Sequence, residues 1–424
     1  MLALDDVVQA RNVIQGMVQR TPLIHSHILS QRFGCQLFLK AENLQHTGSF
    51  KVRGAYNKII TLARSGVVKG IIAASAGNHA QGVAVAAAAA DIPATIVMPE
   101  TASLPKVQAT QGYGARVILY GENYEEAAAH TRHLAQEEGL TVIPAFNDDL
   151  VVAGQGTIGL EVHEALPDLD AVIVPVGGGG LISGIALAVK SLRPATRVIG
   201  VQASAATGAK ASFQEGRIVH ISPRNTLADG IAVGAPGEVT LPLMQRYVDD
   251  IVSVEEEAIS QAMVLLLEFG KLVVEGAGAV GVAALLSGRL SCKNQKTVAI
   301  LSGGNVDVNL IARVVEHGLT LAGRYLIIRV KLPDRPGQLA RLVDLLAAIR
   351  VNVLDIDHFR TGIPLPLGEV EVQLTLETRD AAHAEEVCRH LQEHGYEEAS
   401  FEGRPGVLGA GFPSANIRYF VPRP

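Results

Sequence analysis

Residues Asp170–Leu192 read DAVIVPVGGGGLISGIALAVKSL. The opening run, Asp170 to Val176, is almost wholly apolar and suits a strand covered on both faces. The closing run has the composition of a buried helix, and four consecutive glycines join the two. The same alternation extends outward along the chain. Gly70–Ser75 (GIIAAS) reads as a strand and is followed by a helix from about His79 to Ala90. Ala94–Met98 and Ala115–Leu119 are further strands, with a helix starting near Leu104 between them. Arg197–Val201 and Thr297–Leu301 add two more. Buried strands separated by helices predict a parallel α/β sheet with helices on both faces. In such sheets ligands bind at the carboxyl ends of the strands. The residues that follow each strand are therefore where chemistry is expected.

The glycine run Gly177–Gly180 lies between a strand and a helix, where exposed backbone amides and the helix N-terminus form an anion cradle. No Lys-Ser/Thr pair follows, so it is not a nucleotide P-loop. The next strand, RVIGV, ends in Gln202 and offers no carboxylate for a ribose, so a single phosphate monoester fits better than a dinucleotide. Gly48–Ala55 (GSFKVRGA) places Lys51 at a predicted helix start. The positive helix pole and burial both disfavour its ammonium form. Such an amine can trap an aldehyde. Ser75–Gly82 (SAGNHAQG) follows a strand and can hold a carboxylate on its amides, and Asn78 can donate to a phenolic oxygen. Ser302–Asn305 (SGGN) puts a hydroxyl after the strand TVAIL, where it could meet a ring nitrogen. Each motif alone has an ordinary explanation as a turn, a cap or a solvated lysine. Together they describe a pyridoxal phosphate site.

Seven motifs then carry a resemblance. ENLQHTGSFKVRGA, SAGNHAQG, AGQGT, GGGGL, LADG, EGAGAVGVAALL and SGGN occur in this order within residues 15–322. They resemble the fold type II pyridoxal-phosphate enzymes, and within these the threonine/serine dehydratase and serine racemase group. The resemblance implies two parallel-sheet α/β subdomains, the smaller over about residues 50–147. It implies that Lys51 holds the cofactor and that Phe50 lies beside it. By the same likeness Asn78 meets its phenolic oxygen, the amides of Gly177, Gly178, Gly179, Gly180 and Leu181 hold its phosphate, and Ser302 contacts its ring nitrogen. Ser75, Ala76, Gly77, Asn78 and His79 would embrace the substrate carboxylate. The implied reaction converts L-threonine to 2-oxobutanoate and ammonia, with L-serine to pyruvate as a side activity.

Two departures bear on this. Racemases of the group carry a serine at the position of Ala76, as the acid on the opposite face. Gln202 and Gly208 stand where carboxylate ligands of a divalent cation are found, so no metal site is expected. Both favour a dehydratase over a racemase, and the intact Lys51, Asn78, glycine loop and Ser302 argue against a catalytically silent amino-acid sensor.

The pattern changes near Leu321–Tyr325. Strand Tyr325–Leu332, helix Gly337–Ile349, strands Asn352–Arg360 and Gly368–Leu376, helix Ala381–His394 and room for a strand near Glu397–Phe401 make a ferredoxin-like order. RYLIIRVKLPDRPGQLARLVDLL resembles an ACT domain. That likeness implies an amino-acid effector, isoleucine or valine, at the turn containing Gly337, and a homodimer or homotetramer. The expected domains are 1–322, 323–402 and an unassigned Gly- and Pro-containing tail at 403–424.

The remaining features narrow the function class. A formal charge of −6 without a basic stripe argues against a nucleic-acid partner. The longest apolar run, Val83–Ala90, is far short of the roughly 20 residues that span a bilayer. The N-terminus MLALDDVVQA has no basic, then apolar, leader pattern. Cys35, Cys292 and Cys388 are scattered and suggest neither zinc nor a disulfide framework. A reducing cytoplasm is the expected location.

Overall fold

A computed structural model describes residues 2–66, 68–360, 365–399 and 417–422. The chain divides into two units, residues 1–307 and 308–424. The division falls ahead of the expected boundary at 322. The helix Val308–Leu321 belongs with the second unit because it packs on the strand Tyr325–Pro333.

The first unit holds two sheets. The larger has the spatial order Leu23–His25, Gln36–Ala41, Lys296–Leu301, Ala171–Pro175, Arg197–Ala203 and Asp250–Val254. Its pairings are parallel except at the short first strand, which runs antiparallel on the edge. The smaller sheet has the order Arg116–Leu119, Ala94–Met98, Ile71–Ala74 and Thr141–Val142, all parallel. Ala171–Pro175 and Ala94–Met98 are buried at every position, as strands covered on both faces must be.

The helix Asp149–Ala165 spans the space between the sheets' helices. Asp148 starts it by accepting from the amides of Leu150 (3.0 Å) and Val151 (3.2 Å). Its motif AGQGT lets two helices touch through backbone. A Cβ on Gly154 would lie 2.6 Å from the Cα of Gly54, on the helix Lys51–Arg64 that Lys51 begins.

Behind that contact lies a buried charge cluster. Arg53 is fully enclosed. It donates to Glu42 through Nε (2.8 Å) and Nη2 (2.8 Å), to Glu161 through Nη1 (2.6 Å) and Nη2 (3.0 Å), and to Thr157 Oγ1 (3.1 Å) and Gln19 O (3.2 Å). Lys40 donates to Thr21 O and to Glu161, each at 2.6 Å. Burial pushes the Glu42 carboxyl up, but the Arg53 charge and its hydrogen bonds, helped by Lys40, hold it below the usual carboxylate range.

The second unit is a five-stranded sheet in the order Asn352–Phe359, Glu369–Glu377, Tyr325–Pro333, Ile417–Pro422 and Tyr396–Glu398. The helices Gln338–Ala348 and Ala381–Glu393 bury Leu342, Leu346, Val387 and Leu391 in its core. The tail, unassigned from sequence, contributes a strand. Ile417–Pro422 inserts parallel to Tyr325–Pro333, and Tyr396–Glu398 is moved outward to pair with it. Phe420 explains the insertion, because it is wholly buried in the apolar core. Ser400, Phe401 and the rest of the tail's first part lie outside the described residues.

Replacing Arg53 by Leu leaves Glu42 and Glu161 without their main partner. A buried charge stripped of its partner costs about 3–5 kcal/mol. Urea unfolding of the Arg53→Leu protein is expected to show a loss of that size. A loss below about 1 kcal/mol would mean that the cluster does not hold the first unit together.

Candidate active site

Lys51 is the first residue of its helix, with Phe50 as a helical, uncapped N-cap. The approach to it is tied to the end of the strand Lys296–Leu301. Phe50 N donates to Ser302 O (3.1 Å), Gly304 N donates to Gly48 O (2.8 Å), and Ser49 bridges to Gly303. Gly48 has φ +69, and a Cβ there would fall 2.2 Å from Asn305 Oδ1. These bonds deliver the lysine and the Ser302 hydroxyl to one cavity.

That cavity measures about 820 Å³. Phe50, Lys51, Ser75, Ala76, Gly77, Asn78, His79, Gly177, Gly178, Gly179, Gly180, Leu181 and Ser302 all line it, so the structure brings together every catalytic-unit residue expected from sequence. Gly337 belongs to the second unit, as the left-handed N-cap (φ +88) of the helix Gln338–Ala348.

The glycine run forms a shaped cradle. Gly179 adopts φ +92, and the helix Gly180–Leu192 starts directly after it. Among the described residues no acceptor is present for the amides of Gly178, Gly179, Gly180 or Leu181. A Cβ on Gly178 would sit 2.4 Å from the Phe146 ring, which lines the same cavity. Thr240 fixes the loop by donating to Gly178 O (2.7 Å) and accepting from Gly237 N (2.9 Å). Buried unpaired amides at a helix N-terminus are suited to a phosphate.

Lys51 has one hydrogen bond, from Nζ to Ala145 O (3.2 Å), and its amine lies 5.2 Å from the centre of the Phe50 ring. Burial pulls its pKa down to about 8 against the attraction of Glu275. Burial rather than the helix pole is thus the leading cause. His79 sits close behind, with Nε2 2.9 Å from Ile143 O. Burial and then the Lys51 charge bring it down to about 4, so it is neutral at neutral pH.

Asn78 shows a feature the motif did not reveal. Its amide donates to Glu275 Oε1 (2.8 Å), and its oxygen accepts from Asn305 (2.8 Å). One amide hydrogen remains for a ligand. Asn305 also donates to Thr47 O (2.7 Å), which locks this small network to the lysine loop. Glu275 is 5% exposed, and burial, then Asp229, pushes it up to about 8. Glu275 and Asn305 stand within quoted motifs, EGAG and SGGN, yet their part in the site was not read from them. Lys106 and Asp229, also on the cavity wall, pair at 2.9 Å.

The site therefore combines a buried amine, a set of amides that suits a phosphate, and a hydroxyl lining the same cavity. These residues fit pyridoxal phosphate. The family model of the pyridoxal-phosphate dependent enzymes matches residues 14–303. The chain belongs to this family. An ACT domain matches residues 326–387. The L-threonine ammonia-lyase of Thermotoga maritima is 48% identical over 397 residues, covering 94% of this chain and 99% of that protein. Among solved structures, maize serine racemase superposes with a TM-score of 0.71 at 36% identity, covering 75% of this chain and 98% of that one. The processed form of threonine deaminase isoform 2 from Solanum lycopersicum gives 0.69 at 40% identity, covering 74% and 91%.

Among the described residues no cluster of His, Cys, Asp or Glu could hold a metal ion, and no helix is long and apolar enough to cross a membrane. Gln202 Oε1 accepts from Lys210 N (2.8 Å).

The shifted carboxyl gives a pH prediction for the cofactor-free protein. In the unfolded chain Glu275 loses its proton near its ordinary 4.5, whereas in the fold it keeps it to about 8. The folded state binds more protons across that window, so this group's contribution is present below about 4.5 and is lost as pH rises through about 8. Glu275→Gln is expected to remove that decline in urea-unfolding stability between pH 5 and 8. Identical pH slopes in both proteins would show that Glu275 is ionised in the fold.

Proposed function

We propose that this enzyme deaminates L-threonine to 2-oxobutanoate and ammonia, and L-serine more slowly to pyruvate. The observation that carries the reading is Lys51, a buried amine with its pKa near 8, lining one cavity with the amide cradle of Gly178–Leu181. The relatedness to L-threonine ammonia-lyase along nearly the whole chain supports the substrate.

Pyridoxal phosphate, when bound, supplies an aldehyde for the substrate amine and a ring that withdraws electrons from its α-carbon. Gly177, Gly178, Gly179, Gly180 and Leu181 would hold the phosphate, Asn78 the phenolic oxygen and Ser302 the ring nitrogen. A serine at that nitrogen, rather than a carboxylate, would leave it neutral and weaken the electron withdrawal. Elimination tolerates this because the departing β-hydroxyl takes the electron pair. Lys51 takes the α-proton, because its lowered pKa leaves a useful neutral fraction near neutral pH. The turn Ser75–His79 receives the substrate carboxylate. Gly77 caps the helix Asn78–Ala89, whose first residues line the cavity and have no side-chain cap. Ala76 has no acidic hydrogen to return a proton to the opposite face, which supports elimination over racemisation.

The ACT unit binds isoleucine or valine near Gly337 and couples it to the catalytic unit within a cytoplasmic homodimer or homotetramer serving isoleucine biosynthesis. The support is local. The left-handed Gly337 turn exposes amides at a helix start, and a Cβ there would meet nothing within 4 Å, so the approach is open.

An amino-acid panel followed by oxo-acid and ammonia detection tests the activity. Threonine is expected to be the best substrate, serine slower, and D-serine undetectable after incubation with L-serine. Efficient conversion of L-serine to its enantiomer would make the enzyme a racemase. Bound cofactor without any ammonia release would make it a sensor.

Regulation has its own test. Isoleucine or valine at millimolar levels is expected to shift half-saturation for threonine by roughly 5- to 150-fold, the usual span of such coupling. A protein indifferent to both, in rate and in thermal stability, would leave the ACT unit with a role in assembly alone.

A further inference from the structure

The sequence scatters its cysteines, but the fold does not. Cys35 and Cys292 lie 257 residues apart in the chain and 2.7 Å apart between sulfurs. Both are free thiols. They meet where two neighbouring strands of the larger sheet begin. Cys35 precedes the strand Gln36–Ala41, and Cys292 sits in the loop leading to Lys296–Leu301.

Main-chain bonds hold this junction from both sides. Asn294 N donates to Gly34 O (2.8 Å), and Gln36 N donates to Gln295 O (2.9 Å). The first ladder pair, Gln36 with Lys296, follows directly. Gly34 closes the helix His27–Phe33 in a left-handed conformation, and Cys35 N then donates to Ser30 O (3.1 Å). These bonds hold the two cysteine backbones side by side, so the sulfurs can part only by rotation about their own side-chain bonds. Cys35 is half-buried and reachable from solvent, whereas Cys292 is 3% exposed.

We propose that Cys35 and Cys292 form an oxidative modification site, in which a peroxide converts the two thiols into an intramolecular disulfide that staples the starts of these two strands. The chemistry balances with hydrogen peroxide as oxidant. One thiolate attacks a peroxide oxygen, the O–O bond breaks and hydroxide leaves, giving a sulfenic acid. The second sulfur attacks that sulfur and displaces its oxygen as water. Two thiols lose their hydrogens, one S–S bond forms, and the peroxide ends as two waters. Cys35 is the partner that peroxide can reach from solvent, and Cys292 lies directly behind it.

The consequence is a staple rather than a switch of chemistry. Lys51 and Ser302 follow the opposite ends of these same strands, so the bond forms away from the cavity. Closing so long a loop restricts the unfolded chain, which raises stability. Cys388 serves as an internal control. It is buried in the second unit's core, and burial pushes its thiol up to about 11.

The test treats the full-length holoenzyme with graded hydrogen peroxide, blocks remaining thiols, and maps peptides without reduction. The expected result is a linked pair of peptides carrying Cys35 and Cys292, lighter by two hydrogens, with Cys388 still alkylated. Tm should rise by on the order of 5 °C. Dithiothreitol should reverse both changes, and turnover should be retained. Cys35→Ser and Cys292→Ser should each lose the linked peptides and the Tm rise. The wild-type peptide map stands even if a variant folds poorly. Three alkylatable cysteines at peroxide doses that fully oxidise glutathione would overturn the proposal. So would separate sulfinic acids at Cys35 and Cys292, or a linkage through Cys388.

Discussion

A guanidinium buried between two carboxylates is the constraint on which the catalytic unit depends. Arg53 lies two residues beyond Lys51 and satisfies its donors on Glu42, Glu161, Thr157 and Gln19. Those partners come from the residues after the strand Gln36–Ala41, from the long helix Asp149–Ala165 and from the N-terminal segment. Four pieces of chain therefore meet at one side chain. A lysine instead of arginine could not serve both carboxylates in fixed planes, because an ammonium is a point charge without the fork geometry. The glycine contact between Gly54 and Gly154 brings the helices close enough for these bonds to form.

From that anchor the site acquires its electrostatics. Lys51 and Glu275 are both buried and shifted towards about 8 from opposite sides. Burial disfavours each charged form, while their mutual attraction favours both. Near neutral pH the pair is thus poised to hold and release protons. His79 is kept neutral beside them, so it contributes no charge to the binding of a phosphate or carboxylate. The anion-binding capacity instead comes from backbone amides of the glycine run, which carry no proton equilibrium of their own.

What the sequence revealed follows from how local each feature is. The Gly177–Gly180 cradle, the lysine at a helix start and the Ser302 turn are each written in one strand-end segment, so they were legible. Glu275 was not, because EGAGAVGVAALL reads as the start of an apolar helix and nothing local shows Asn78 donating to it. Arg53 reads as a single charge within GSFKVRGA, since its partners are up to 108 residues away. The strand Ile417–Pro422 was missed because six residues beside a Gly- and Pro-containing stretch carry little period, and Phe420 gains its meaning only from the core it fills. The second unit's earlier start reflects a helix whose allegiance is decided by the strand that follows it. The Cys35–Cys292 approach is created wholly by strand order, which no linear spacing encodes.

The central claim is that Lys51 is the amine that carries the cofactor. Sodium borohydride reduction of the holoenzyme, followed by peptide mass mapping, tests it most directly, because reduction makes the lysine–cofactor bond permanent. The account predicts a single cofactor-derived mass on the peptide containing Lys51. A modification on Lys106, which lines the same cavity, or on no lysine at all, would contradict it.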